Sequence, residues 1–286
     1  MAKVAVVVTV LNEIRDIKFL IDSLKKQTKE IIVVDGGSTD GTWEVLQKEK
    51  GIKAFLHSGN RSVGRNFGVA KSHSSIIAFT DAGCVPQKNW LEELVKPFKD
   101  KSVQVVSGYY KGLPNNVFEA CLVPYVLVMP DQVGGEFLPA SRSMALRRSV
   151  WNTSGGFNQK LEHNEDYEFA NRLKKLGYRF TFAPRAVVGW RPRSSLRQAA
   201  WMFLRFAIGD AQAGILRPKV KLLALRYYLF GFGVFLSKYV WLLAVPYLLW
   251  AISKNYKYVK DVRAVYWLPL MQLTADIMVL FGTIVG

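Results

Sequence analysis

Val4 to Val10 is a run of apolar and β-branched residues, the pattern of a strand buried on both faces of a sheet. Ile14, Ile17, Phe19, Leu20 and Leu24 then recur at helical spacing. Ile31 to Val34 predicts a second buried strand, followed by a Gly/Ser/Thr turn and a short helix through Trp43 and Leu46. Ile52 to Leu56 predicts a third strand, Phe67 and Ala70 the next helix, and Ile76 to Thr80 a fourth strand. A helix through Trp90, Leu94 and Phe98 and a strand at Val103 to Val106 follow. Further on, Phe169, Ala170, Leu173 and Leu176 form the core stripe of a helix that opens at Asn164. Strands alternating with helices at this spacing predict an α/β domain over residues 1–215, with a mostly parallel sheet covered by helices on both faces. Ligands of such sheets gather at the carboxyl ends of the strands.

After Arg217 the pattern changes. Residues 222–252 are apolar except for Arg226, Ser237 and Lys238, and residues 264–285 apart from Gln272, Thr274 and Asp276. Three stretches, 222–237, 239–252 and 264–285, predict a C-terminal membrane-associated helical region over 216–286. The last stretch reaches the roughly 20 residues that span a hydrocarbon core, while the first two are only about 24 Å and 21 Å long as helices. Arg217, Lys219, Lys221 and Arg226 precede the first apolar region, and Lys254, Lys257, Lys260 and Arg263 follow it. Cytoplasmic loops collect such cations. A hairpin turning near Lys238 keeps both clusters, and the α/β domain, on the cytoplasmic side of the cell membrane. The rival is two ordinary spans, 229–252 and 264–285.

Charge sharpens this picture. The 286 residues carry 39 Lys and Arg against 22 Asp and Glu, a net charge of +17, although half of the residues are hydrophobic. So basic and so apolar a chain calls for an anionic partner such as a membrane surface or a phosphorylated ligand. Because the cations cluster beside apolar segments and not along an aromatic-studded groove, nucleic acid is not the expected partner. Cys84 and Cys121 are the only cysteines, which gives no basis for a disulfide or zinc framework. No signal peptide is expected before the first strand.

Candidate chemistry lies at the strand ends. The first strand ends in Thr9-Val-Leu-Asn12-Glu13, and the second in Asp35-Gly-Gly-Ser-Thr-Asp-Gly-Thr42. A carboxylate followed by two glycines can accept hydrogen bonds from a base or sugar laid over them, while Ser38 or Asp40 caps the next helix. Gly59 to Asn66 nearly has phosphate-loop spacing, but Arg65 and Asn66 replace its Lys and hydroxyl residue, so it does not predict an ATPase. The fourth strand ends in Thr80-Asp81-Ala82-Gly83-Cys84. Asp166 precedes Phe169 and Ala170 by three and four residues, so it shares their inward face in a helix's first turn, a placement suited to a general base.

Thr9-Val-Leu-Asn-Glu13, Val34-Asp-Gly-Gly-Ser-Thr-Asp-Gly-Thr42, Arg65-Asn-Phe-Gly68, Thr80-Asp-Ala-Gly83, Gly155-Gly-Phe157 and Glu165-Asp166 occur in the order found in family 2 glycosyltransferases. The chain resembles a membrane-attached member of that family with the GT-A fold, over roughly residues 3 to 215. The resemblance implies an inverting transfer of a sugar from a nucleotide-sugar donor to a membrane-associated acceptor, lipid-linked or a surface polysaccharide. It assigns the donor nucleotide to Thr9, Asn12, Glu13, Asp35, Arg65, Asp81 and Ala82. Asp166, beside Glu165, becomes the base that deprotonates the acceptor hydroxyl. The family usually carries Asp-x-Asp at the fourth strand's end, with Mg²⁺ or Mn²⁺ on the second acid. Gly83 stands there in this chain, which leaves Asp81, with His163 as a possible substitute ligand. Cys84 suits such hard cations poorly. Arg142 and Arg193 are expected to meet acceptor or phosphate, and Arg191, Arg197 and Arg205 either phosphate or anionic lipid. A catalytically weak sugar-nucleotide or lipid-binding protein of the same fold is the alternative.

Overall fold

The computed structural model describes residues 3–134 and 137–286. In chain order the elements are β1 (Val4–Val10), α1 (Ile17–Lys25), β2 (Glu30–Asp35), α2 (Thr42–Lys48), β3 (Lys53–Leu56), α3 (Arg61–Ala70), β4 (Ile76–Phe79), β5 (Cys84–Pro86) and α4 (Trp90–Val95). There follow β6 (Val105–Gly112), α5 (Val117–Val126), β7 (Met144–Arg147), α6 (Arg148–Ser154), α7 (Glu165–Lys175), β8 (Phe180–Trp190), α8 (Leu196–Gln212), α9 (Pro218–Leu236), α10 (Ala244–Val259) and α11 (Ala264–Val285). The chain separates into two units, one running to Lys111 and resuming over Pro130–Arg191, the other made of Gly112–Met129 and Pro192–Gly286. The boundary expected near residue 215 falls inside the second unit, between α8 and α9.

The first unit holds a sheet in the order β3-β2-β1-β4-β7-β6-β8-β5. The four strands with continuous or near-continuous apolar runs are parallel neighbours, β1 pairing with β2 and β4, and β2 with β3. Ala5 to Val8 of β1 are almost wholly buried, as a central strand covered on both faces requires. The other half of the sheet is antiparallel: β7 runs against β4 and β6 against β7. Apolar periodicity reports burial and not direction, so the sheet's mixed character was not legible from the run at 103–106. The register pairs Val10 with Asp35 and Val7 with Phe79, which brings the carboxyl ends of β1, β2 and β4 to one edge.

Beneath that edge lies an aromatic core of Phe79, Trp151, Phe157 and Phe169, with ring centroids 4.6 to 5.8 Å apart. Phe169, Ala170 and Leu173 of α7 are fully buried, but Leu176, expected in the same stripe, is 53% exposed at the helix's C-cap. Phe19 is likewise exposed, because α1 buries the face of Ile17, Leu20, Ile21 and Leu24. Cys84 and Cys121 are free and buried.

The second unit is helical. Among the described residues one helix, α11, is long and apolar enough to cross a membrane, with 22 residues and a mean hydropathy of 1.7. The run 229–252 is not one helix. It breaks where Ser237 turns extended and residues 238–243 form a 3₁₀ segment, which lays Val240 against Gly233. Leu222, Leu225, Tyr228, Leu229, Phe232 and Phe235 leave α9 with a broad exposed apolar surface.

Candidate active site

Two glycines bring α3 onto the sheet. A Cβ at Gly64 would stand 2.8 Å from Thr9 Cγ2, and one at Gly68 would stand 2.6 Å from Val7 Cγ1, so only glycine allows the approach. Asn60 caps the helix by accepting from Val63 N–H at 3.0 Å. Arg65 follows Gly64 and is only 2% exposed, with Phe157 5.1 Å beneath its guanidinium. Asn66 fixes Phe157, accepting from its N–H at 2.9 Å and donating to its carbonyl at 2.8 Å. That contact explains the paired glycines: Gly156 has φ +72°, and a Cβ there would press on Asn66 and Trp151.

Arg65 gathers the acids. It donates to Glu165 Oε1 at 2.5 Å, to Asp81 Oδ1 at 2.8 Å and to Ser141 Oγ at 2.9 Å. Ser141 continues the network, its hydroxyl reaching Asp81 Oδ1 at 3.2 Å and Asp166 Oδ2 at 3.4 Å. Its backbone N–H also donates to Asp166 Oδ2, at 3.2 Å. Glu165 is the buried acid of α7 and Asp166 the half-buried one, so the residue expected to face inward is the more accessible of the two. Arg65, expected at the nucleotide, spends its guanidinium on ordering acids.

The charges divide the labour. Burial and the neighbouring Glu165 push the Asp166 carboxyl above the usual carboxylate range, against the pull of Arg142 and Arg65. Burial also opposes ionisation of Asp81, but Arg65, Arg142 and Arg61 outweigh it and hold that carboxyl low. Asp81 is therefore a fixed anion, while Asp166 is poised to take a proton. Arg142 lies 5.8 Å from the Tyr110 ring and 5.7 Å from the Trp190 ring, with Asp81 and Asp166 as the carboxylates that favour its charge.

A second cluster stands at the ends of β1 and β2. Asp35 is fully buried, and its Oδ1 accepts from Gly37 N–H at 2.8 Å and Ser38 N–H at 2.7 Å. Its Oδ2 is buried with no hydrogen-bond partner, an open acceptor in a fixed position. Asn12, at φ +56°, binds the loop after β2: its N–H donates to Ser38 Oγ and its Oδ1 accepts from Thr39 N–H, both at 2.8 Å. Glu13 N–H donates to Thr42 Oγ1 at 3.0 Å. Gly41, with φ +95°, is the N-cap of α2, while Asp40 just before it accepts from Thr42 N–H and Ile14 N–H. Thr9 lies under Gly64, and Ala82 is buried beside Asp81.

Among the described residues no three of His, Cys, Asp and Glu converge as a metal centre, whether around Asp81 or around His163. The Cys84 thiol is buried and pushed up to about 12, chiefly by desolvation and then by Asp81, so it stays protonated. A Cβ at Gly83 would meet nothing within 4 Å. One hard carboxylate beside open space fits a cation that arrives on phosphate oxygens, since Mg²⁺ commonly takes only one or two protein carboxylates. Arg193 belongs to the second unit, and Arg191 pairs with Asp16. Ser141 had no signal in the sequence, since a lone serine ahead of a strand carries no spacing to read.

Comparison with known proteins adds the context. Residues 5–121 match the profile of glycosyl transferase family 2. Glycosyltransferase AglE of Haloferax volcanii is 26% identical over 74% of this chain and 74% of that protein. The succinoglycan biosynthesis protein ExoA of Rhizobium meliloti is 24% identical over 87% of this chain and 82% of its own. Among solved structures, the mannosyltransferase PcManGT from Pyrobaculum calidifontis, in complex with GDP-Man and Mn²⁺, shares the fold with a TM-score of 0.71 at 19% identity. That alignment covers 99% of this chain and 87% of the other.

Proposed function

Because the chain is a family 2 glycosyltransferase with the GT-A fold, we propose that it transfers a sugar from a nucleotide-sugar donor to a membrane-associated acceptor, with inversion at the anomeric carbon and Asp166 as the base. The observation that carries this reading is the state of Asp166: accessible, anchored by two contacts from Ser141, and held above the ordinary carboxylate range. A sugar hydroxyl is a poor nucleophile, and a carboxylate that takes its proton as the new bond forms lowers the barrier. With no covalent intermediate, the hydroxyl displaces the nucleoside diphosphate from the opposite face.

The open Asp35 Oδ2 suits an N–H of the donor's base, and the glycines after it let the ring lie close. Asp81 would hold a divalent cation whose remaining ligands are the donor's phosphates. When bound, such a cation neutralises charge that develops on the departing diphosphate. Arg142, already fixed between aromatic rings, places a permanent positive charge on the same side as the two acids. The apolar α9 surface and the spanning length of α11 support an acceptor met at the membrane, and the cation clusters on both sides of 222–252 support a catalytic unit on the cytoplasmic face.

The test is a donor screen followed by product analysis. Thermal shift across nucleoside diphosphates is expected to select a nucleotide, and its sugar conjugates are then assayed for hydrolysis with and without Mn²⁺. Proton NMR of the released sugar is expected to report the inverted anomer first. Retention of configuration would remove the single-displacement mechanism.

A further inference from the structure

Arg65 spends its guanidinium on Glu165, Asp81 and Ser141. Arg142, beside the same acids, spends none of its own: among the described residues it donates to no carboxylate, hydroxyl or carbonyl. Packing holds it instead, with its guanidinium carbon 5.8 Å from the centre of the Tyr110 ring and 5.7 Å from that of Trp190. Two features of the chain fix where it stands. Ser141, the residue before it, reaches Asp81 Oδ1 at 3.2 Å and Asp166 Oδ2 at 3.4 Å. Trp190 is paired with Cys84 in the antiparallel β5–β8 ladder, and Cys84 N–H donates to the Asp81 carbonyl at 3.0 Å. Arg142 is thus tied, by its own chain and by Trp190, to the turn that carries Asp81 and Gly83.

A guanidinium has five N–H donors, and contact with ring faces satisfies none of them. Arg142 is half-buried, so water meets only part of that demand. Arg61, another arginine whose charge Asp81 feels, is exposed and keeps its hydration. Beside the Asp81 turn there is also room, since a Cβ on Gly83 would meet nothing within 4 Å. A fixed fork of open donors next to open space suits a phosphate, whose oxygens a guanidinium binds in pairs. The acids decide which phosphate. Asp166, as the base, marks the anomeric carbon, and the oxygen that leaves this carbon belongs to the β-phosphate of the donor. The α-phosphate lies one unit nearer the nucleoside.

We propose that Arg142 is a catalytic residue that binds the β-phosphate of the donor and stabilises the charge it gains as the sugar departs. The bond from the anomeric carbon to the phosphate oxygen breaks, and its electron pair stays on that oxygen. The acceptor hydroxyl forms the new bond and gives its proton to Asp166. Gly83 supplies no second carboxylate for a cation, and the Arg142 guanidinium meets part of the diphosphate charge directly. Binding of the diphosphate therefore persists when divalent cations are removed. The proposal deepens the reaction proposed above and rests on Asp166 marking the reacting carbon.

The test is calorimetry on the full chain. UDP, GDP, ADP, CDP and dTDP identify the diphosphate that binds, which is then compared with its own monophosphate in EDTA and in Mn²⁺. The parent is expected to bind the diphosphate at least about tenfold more tightly than the monophosphate in EDTA. Arg142→Met is expected to weaken the diphosphate roughly 10- to 100-fold, the worth of a charge-assisted contact, and the monophosphate less than about twofold. Arg142→Lys, which keeps the charge without the fork, is expected to recover part of the diphosphate affinity. Damage to the fold would weaken both nucleotides together, so the monophosphate and the melting temperature separate the two causes. Equal losses for the two nucleotides, no loss of either, or a parent that shows no preference for the diphosphate in EDTA would each overturn the proposal. If the diphosphate still binds in Mn²⁺, such a result sinks the role of Arg142 alone and leaves the glycosyltransferase reading standing. Absence of binding by every nucleotide would remove the donor site, and this proposal with it.

Discussion

Arg65→Met removes the guanidinium on which the acid cluster depends. Arg65 is 2% exposed and Glu165, 2.5 Å away, is 4% exposed, so the substitution strands a buried carboxylate. It also deletes the contacts to Asp81 at 2.8 Å and Ser141 at 2.9 Å. Removing one partner of a buried pair costs about 3–5 kcal/mol, because the remaining charge has neither water nor a counter-ion. Asp81 is a third exposed and recovers its loss from solvent, so it adds little. At roughly 2–4 °C per kcal/mol for a domain of this size, the melting temperature falls by about 10 °C. Methionine fills most of the volume, so a cavity is not the cause. The companion is Arg65→Met with Glu165→Leu, in which no charge is left stranded. Apolar replacement of a whole buried pair is often neutral or better, so the double variant recovers more than half of the loss while remaining inactive. Urea unfolding followed by circular dichroism measures all three proteins. A single variant that loses less than about 1 kcal/mol, or a double variant no more stable than the single, would refute the reasoning.

Asp35→Asn keeps an acceptor for Gly37 and Ser38 but puts a donor where Oδ2 is open. Nucleoside diphosphate binding by calorimetry is expected to weaken by roughly 10- to 100-fold with little change in melting temperature. Gly83→Asp has room for its side chain and supplies a second carboxylate beside Asp81; Mn²⁺ affinity of the donor complex is expected to rise at least about tenfold. Glu165→Gln tests the acid limb of the pH–rate profile. Because Glu165 helps to raise Asp166, its neutralisation makes ionisation of Asp166 easier, so the fall in rate on acidification moves to lower pH. An unmoved limb would mean that Asp166 does not set it.

The parallel half of the sheet and the motifs at its strand ends were legible because they rest on short-range patterns. A strand buried on both faces reads as a continuous apolar run, and a turn that needs positive φ reads as glycine, as at Gly37 and Gly41. What joins the site was not legible. Arg65 meets Glu165 across 100 residues and Ser141 across 76, and such contacts depend on β7 running antiparallel to β4. The helical spacing of Asp166 placed it correctly in the first turn of α7. Its neighbour Glu165 took the buried position, because Arg65 provides a counter-ion there. In the second unit composition identified α11. It did not show that Ser237 breaks the run before it, which depends on one extended residue and the packing of Val240 on Gly233.

The most direct test of the account is the turnover of Asp166→Asn at saturating donor and acceptor, measured beside donor affinity and melting temperature on the same preparation. Loss of a general base costs about 10²- to 10⁴-fold. The account predicts a fall of that size in kcat, with donor Kd and folding close to those of the parent. Turnover near the parental rate in a folded, donor-binding Asp166→Asn protein would contradict it.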